Sequence, residues 1–208
     1  IQNARGLDDE LSPTIRSCGV KCAEANKVLR AQHELAFDYT GAYLQGAMNR
    51  LVIARAPMGH REHDEDGTEF YWVIKAPLYG QADSGLRWYE SINEYLTSPN
   101  ELRMTRGDAE PCLYNRRVGP HDSEHVNMSL YVDDGKLYYD TGEHAAKEAT
   151  RMRKKLEARW KIKFQEVDQP DTYLLSANIK RHSSTHTSVG LKTYIEKNVK
   201  DHLPMALS

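Results

Sequence analysis

The sequence predicts an α+β fold, and three observations predict it. Two segments place apolar residues at helical spacing: Trp88, Ile92, Tyr95 and Leu96 in one, Ala145, Ala149, Met152, Leu156 and Trp160 in the other. Strand-like stretches stand before, between and after these two segments. Between them, Leu130-Tyr131-Val132-Asp133-Asp134-Gly135 sets two adjacent carboxylates at the tip of a β-hairpin. Met128, Leu130 and Val132 alternate along one arm and Lys136-Leu137-Tyr138-Tyr139 forms the other. An Asp-Gly dipeptide between such arms is a strong hairpin signal.

Ser12-Pro13 opens the first helix, with a capping hydroxyl and a proline suited to the first turn, and the pattern runs to about Gln32. Ile15, Cys18, Cys22, Ala25 and Leu29 form its apolar stripe, which makes the two cysteines small core residues. Glu34 to Asp38 reads as a strand, and Arg50 to Ala56 as another. A polar loop over 60–69 precedes a strand from Phe70 to Ile74, and Pro77 and Gly80 lead into the helix of Trp88. Cys112 to Arg116 is a short strand before the acidic hairpin, and the long helix spans about Gly142 to Trp160. Lys161 to Glu166, Tyr173 to Arg181 and Thr187 to Leu191 read as strands, and Thr193 to Leu203 as a closing helix. The chain shows no internal repeat, low-complexity tract or interdomain linker.

At the core of this order stand strand, helix, hairpin, helix and strand, the βαββαβ arrangement of a ferredoxin-like sheet with helices on one face. In that topology the first strand and the hairpin are neighbours, so Asp38 lies beside Asp133 and Asp134. Adjacent carboxylates repel unless a cation sits between them. Oxygen ligands at a strand tip suit a divalent metal ion. A merely acidic, solvated turn is the alternative for the hairpin by itself, since Asp is a common turn residue.

The chain has 208 residues, enough for one domain or two small ones, and 39% of them are apolar. Mean hydropathy is −0.71, lean for a self-sufficient globule. Net charge is −2, so the bulk basic signature of a nucleic-acid-binding domain is missing. Cys18, Cys22 and Cys112 fit neither a disulfide framework nor a four-ligand zinc site, and reduced thiols in a cytosolic or nuclear setting are expected. No apolar run reaches membrane-spanning length, no signal-peptide pattern opens the chain, and its first residue, Ile1, suggests an excerpt of a longer polypeptide. His121-Asp122-Ser123-Glu124-His125 matches an inverted zinc-protease pattern, but Gly119-Pro120 place it in a loop where that helical chemistry fails. The acidic loop with His60 and His63 reads as a solvated charge run. The same reading fits the basic series Arg151, Arg153, Lys154, Lys155, Arg159, Lys161 and Lys163, as the outer face of the long helix.

Several ordered blocks carry a resemblance. They are Leu11-Ser12-Pro13-Thr14-Ile15-Arg16, Phe37 to Gly46, and Leu78-Tyr79-Gly80 with Trp88-Tyr89-Glu90. Pro111-Cys112-Leu113-Tyr114, Leu130-Tyr131-Val132-Asp133-Asp134, Tyr173-Leu174-Leu175 and Tyr194-Ile195-Glu196-Lys197 follow. In this order they resemble the reverse transcriptase domain of copia-type LTR retrotransposons over about residues 11 to 203, and the Leu-Tyr-Val-Asp-Asp block matches without a change. The resemblance implies one reverse transcriptase domain fragment over 1–208. Its polymerase palm would span about 33–181, with partial fingers elements at about 50–76 and a C-terminal strand and helix at 187–203.

By the resemblance the activity is RNA-directed DNA polymerisation, a two-metal nucleotidyl transfer from dNTP to a primer 3′-hydroxyl, using two Mg²⁺ ions for which Mn²⁺ can substitute. Asp38 and Asp133 would be the main bridging ligands, Asp134 would complete the cluster, and the backbone carbonyl of Tyr39 would add an oxygen. Tyr43 matches the aromatic that excludes a ribose 2′-hydroxyl; a half-buried strand-end aromatic is the alternative. Gly80 would let the backbone approach template or nucleotide; a plain helix-start glycine is the alternative. Implied partners are an RNA or DNA template with primer, dNTP, and integrase and RNase H domains of the same polyprotein, with no membrane. The implied setting is intracellular: cytoplasm, virus-like particle or nucleus. The chain departs from the family at Gln81-Ala82-Asp83-Ser84-Gly85, where Leu-Lys-Gln-Ala-Pro is usual, and at Leu175-Ser176, where Leu-Gly is usual. The family's basic fingers segment, upstream, is absent from this sequence, which accounts in part for the low charge. Two other readings stand beside polymerisation. One is a decayed or co-opted, catalytically inactive palm that only binds nucleic acid. The other is a different ferredoxin-like two-metal enzyme such as a nucleotide cyclase, which would lack the ordered blocks.

Overall fold

A computed structural model describes residues 12–166 and, beyond them, 171–174, 177–183, 186–190, 192 and 195–196. The architecture is mixed α+β. Strands β1 (His33–Tyr39), β4 (Thr105–Arg106), β5 (Leu113–Val118), β6 (Glu124–Tyr131), β7 (Asp134–Tyr139) and β8 (Ile162–Glu166) form one antiparallel sheet in the order β4-β5-β6-β7-β1-β8. Strands β2 (Val52–Arg55) and β3 (Tyr71–Ile74) form a separate two-stranded ribbon. Strands β9 (Asp171–Leu174), β10 (Ala177–Arg181) and β11 (Thr187–Gly190) form a third sheet. The expected strand from Tyr173 to Arg181 is thus two strands paired with each other, and most of the expected helix from Thr193 to Leu203 lies outside the described residues.

Helices α2 (Ser84–Thr97) and α3 (Glu143–Arg159) cover one face of the large sheet, as their stripes predict. Trp88, Ile92 and Leu96 from α2 and Ala149, Met152 and Leu156 from α3 pack on Leu35, Phe37, Tyr39, Met128, Leu130 and Leu137. Tyr39 stands edge-on to Trp88 with ring centroids 4.9 Å apart and to Trp160 at 6.0 Å, which ties the end of β1 to both helices.

Helix α1 (Ser17–Leu29) departs from its sequence pattern. It begins later than Ser12-Pro13 predicts, because the Arg16 backbone N–H and guanidinium are both taken by the Glu110 carboxylate, at 3.2 and 3.1 Å. Its buried residues are Gly19, Val20 and Glu24, whereas Cys18 and Cys22 are exposed and Leu29 is 85% exposed. Cys18, Cys22, Ala25 and Leu29 of the expected stripe therefore face water, while Ile15, just ahead of the helix, is buried as expected. The sheet beneath meets this helix largely with polar and charged groups, Lys136 lying 2.9 Å from Glu24 and the Tyr138 hydroxyl 3.1 Å from it. The helix's apolar contact is confined to Val20, which packs with Ile15, Tyr89 and Cys112.

The acidic hairpin is also built differently. Tyr131 pairs with Asp134, so the turn is Val132-Asp133 and not Asp134-Gly135. Gly135 lies inside β7, where a Cβ would sit 2.3 Å from the Phe37 ring and 2.6 Å from the Ser129 carbonyl. Packing demands this glycine. The turn's left-handed conformation falls on Val132, at φ 52°.

Candidate active site

One rung of the large sheet collects the predicted acids. Register pairs Asp38 with Asp134 across β1 and β7, Tyr131 with Asp134 across β6 and β7, and Asp38 with Lys163 across β1 and β8. Directly paired residues share a sheet face, so Lys163, Asp38, Asp134 and Tyr131 run in line across four strands. That face is opposite α2 and α3, and the rung closes the hairpin end of the sheet. Asp38, Asp133, Asp134 and Lys163 are all exposed there.

Two hydrogen bonds fix the turn that carries Asp133. Trp88 donates from Nε1 to the Val132 carbonyl at 2.6 Å, and the Tyr39 N–H donates to the Asp133 carbonyl at 2.8 Å. A β-branched residue at positive φ is a strained outlier that survives only where its surroundings over-determine it. The Trp88 bond and the aromatic packing behind it supply that constraint. Trp88 belongs to a block noted in the sequence, but its grip on the turn depends on the fold.

Asp134 stands among like charges. Partial burial and then the charges of Asp133 and Asp38 push the Asp134 carboxyl above the ordinary aspartate range. Burial and Asp133 likewise raise the Tyr43 phenol. Among the described residues no group of three or more His, Cys, Asp or Glu side chains is placed to hold a metal ion, so Asp38, Asp133 and Asp134 do not form a preformed three-carboxylate site. Mg²⁺ does not need one: it keeps several waters and commonly takes one or two carboxylates together with substrate phosphates. Hard oxygen donors, like-charged and partly desolvated, suit that ion.

Tyr43 lies in a 3₁₀ turn, Ala42–Gln45, that follows β1 through Gly41. Its ring is 5.9 Å from that of Tyr79. With Ala42, Tyr131, Val132 and Asp133, the two tyrosines line a cavity of about 290 Å³ next to the acids. The structure thus brings Tyr43 to Asp133. Tyr39 is 1% exposed, its ring in the core and its backbone next to Asp38. Gly80 does not line this cavity and is no helix-start glycine. It sits in a turn before Ser84, the first residue of α2, at φ 86°, which explains glycine there by backbone conformation.

Asp83, the acid that departs from the family pattern, is buried and faces inward. Arg50 lies 3.0 Å and Arg87 3.3 Å from its oxygens, and Gln81 donates to it at 2.7 Å. Burial works to raise this carboxyl, and these hydrogen bonds and the Arg50 charge hold it below its ordinary value. Its side chain makes no helix-capping bond.

Lys163 was missed. It belongs to β8 and not to the outer face of α3, and only the β1–β8 register reveals its place beside Asp38. Of the other basic residues in the series, Arg151 pairs with Glu148, Arg153 with Glu157 and Lys155 with Glu101. The inverted zinc-protease pattern dissolves into a 3₁₀ turn and the start of β6, with Glu124 accepting a hydrogen bond from the Ala145 N–H at 2.7 Å. A larger cavity of about 730 Å³, bordered by Asn26, Arg106, Asn115, Arg117 and Asn127, lies farther from the acids and is lined by none of the predicted site residues.

The large antiparallel sheet thus carries helices on one face and an exposed acidic rung on the other, a mixed α+β architecture compatible with the nucleotidyltransferase class. The chain belongs to the reverse transcriptase (RNA-dependent DNA polymerase) family, whose model matches residues 2–204. It is 28% identical over 168 residues to the Transposon Ty1-NL2 Gag-Pol polyprotein of Saccharomyces cerevisiae, covering 80% of this chain and 8% of that protein. It is also 28% identical over 170 residues to the Transposon Ty1-DR1 Gag-Pol polyprotein of the same yeast, covering 81% of this chain and 9% of that protein. The chain spans under a tenth of the length of these relatives. No solved structure matches it significantly. The family and the Ty1 relatives bear out the resemblance to copia-type reverse transcriptases.

Proposed function

We propose that this chain is the palm of an RNA-directed DNA polymerase, with the β2–β3 ribbon as a fingers element, acting within a retrotransposon polyprotein. The observation that carries the reading is the Asp38–Asp134 pair on an exposed rung, with Asp133 in the adjoining turn. The strand order β6-β7-β1-β8, with α2 and α3 as crossovers on one face, supports the ferredoxin-like palm core. Asp38 and Asp133 hold Mg²⁺ or Mn²⁺, Asp134 completes the donor set, and the Tyr39 carbonyl adds an oxygen. When bound, two such ions lower the primer hydroxyl pKa and stabilise charge on the attacking and leaving oxygens.

The chain's own groups do the positioning. Trp88 and the Tyr39 N–H hold the acid-bearing turn still. Tyr43 and Tyr79 wall the cavity beside Asp133, where Tyr43 stands against a ribose 2′-hydroxyl. Lys163 gives the rung a cation for the phosphates of dNTP. Asp83 is occupied by Arg50 and Arg87, which favours a working polymerase over a palm retained only to bind nucleic acid. Template, primer and dNTP are then the partners, alongside integrase and RNase H domains of an intracellular polyprotein.

Primer extension on an RNA template with Mg²⁺ tests the reading. The wild-type chain extends the primer and Asp133→Asn reduces extension to background. Equal extension by the two proteins removes Asp133 from the mechanism.

A further inference from the structure

One rung below the acids lies a buried cluster of charge that the polymerase reading does not use. Register places Ala36 opposite Lys136, and then Glu34 opposite Tyr138, on the same face as Asp38 and Asp134. Lys136 is 1% exposed. Its ammonium lies 2.9 Å from Glu24 of α1 and 2.8 Å from Glu34 of β1. Lys27 of α1 pairs with Glu34 and stands 3.7 Å from Glu24, so two lysines face two glutamates. The Tyr138 hydroxyl donates to Glu24 at 3.1 Å. Burial works to raise the Glu34 carboxyl, and Lys136 and Lys27 together hold it below its ordinary value.

Holding a helix to a sheet does not by itself require such a cluster, since apolar residues of similar size often do as well or better than a buried ion pair. A lysine at this position also carries a hazard. Residues two apart on a strand are roughly 7 Å apart on one face, about the reach of a lysine side chain, and the residue opposite Lys136 is the small Ala36. Once either glutamate is neutralised, Lys136 and Lys27 share the one carboxylate left, and the Lys136 ammonium can swing one rung up to Asp38 and Asp134 and occupy the acids in place of a divalent cation.

The geometry points to Glu24 and Glu34 as positioning residues that hold Lys136 off the acidic rung and keep its carboxylates available to metal, with α1 as the element that brings the decisive carboxylate. This rests on the metal-site reading above. It assigns α1 a part in tuning the site, although no α1 residue lies on the acidic rung.

Mn²⁺ binding to the metal-free chain, followed by electron paramagnetic resonance of the free ion, is the direct test and needs no turnover. Glu24→Gln, and separately Glu34→Gln, weaken Mn²⁺ binding by roughly tenfold, as expected for one added positive charge at the acids. Lys136→Met restores binding in either background. Circular dichroism identifies which variants are folded, and the two single variants are independent routes to the same result. A folded Glu24→Gln or Glu34→Gln protein that binds Mn²⁺ like wild type overturns the positioning role, as does a loss that Lys136→Met fails to restore. Wild-type binding that survives Asp38→Asn overturns instead the metal-site reading.

Discussion

Asp134 shows what a site residue does to the fold that carries it. Its carboxyl is raised by burial, Asp133 and Asp38, so the folded state binds its proton more tightly than the unfolded chain does. Its favourable contribution is complete below the unfolded value of about 3.9 and is lost as pH rises through the folded value. Without metal at neutral pH, the ionised Asp134 therefore works against folding. Asp134→Asn is expected to melt higher than wild type at pH 7 in chelator, by roughly a few degrees for a chain of this length. That advantage shrinks as pH falls towards 4. Thermal melts at several pH values check this, and a variant that melts no higher than wild type at pH 7 contradicts it. The acids were legible because chemistry-bearing residues in a short, strongly patterned hairpin announce themselves. The turn was not: Asp134-Gly135 is the better local signal, and Val132 takes the positive φ only because Trp88 and the Phe37 ring settle the register. The setting of Asp83 was not legible either, since its partner Arg50 is distant in sequence.

Elements whose burial is apolar were read correctly from the sequence. The stripes of α2 and α3 match their buried faces because hydrophobic burial is non-directional and follows helical spacing. Helix α1 departed from that logic, since beyond the apolar contact of Val20 its partners on the sheet are Lys136, Glu34 and Tyr138, and charge complementarity between distant segments leaves no periodic trace. The hairpin elements β6 and β7 depend on a contact that sequence also hides. A Cβ at Gly135 meets the Phe37 ring at 2.3 Å and the Ser129 carbonyl at 2.6 Å. The ring can turn aside but the carbonyl belongs to the adjoining strand. Gly135→Ala should therefore lower stability by about 1–3 kcal/mol through overpacking, and shift the β6–β7 turn that carries Asp133. Urea denaturation reads the first effect, and an unchanged midpoint with an unchanged slope rules it out.

At the scale of the whole molecule, the order of elements was legible but not the sheet that each strand joins. Segments 50–56 and 70–74 were read as strands and do contain β2 and β3, yet among the described residues these pair only with each other. Ile53, Phe70, Tyr71 and Val73 are more than half exposed on this ribbon. A lone two-stranded ribbon is marginally stable in water, whereas a six-stranded sheet backed by two helices buries enough apolar surface to fold cooperatively. Local stability should divide along that line, because amides exchange through the cheapest opening available to them. Backbone N–H groups of β2 and β3 are expected to exchange hydrogen for deuterium far faster than those of β1, β6 and β7. The amides around Asp38 and Asp134 then report the slow, global unfolding of the chain. Exchange followed by mass spectrometry of peptides covering 50–76 and 124–140 separates the two regions. Equal protection in both would mean that the ribbon and the acid-bearing sheet open as one unit. Fast exchange in the ribbon alone would mean that the rung keeps its geometry while the β2–β3 segment opens and closes, which the proposed metal-holding role of the rung calls for.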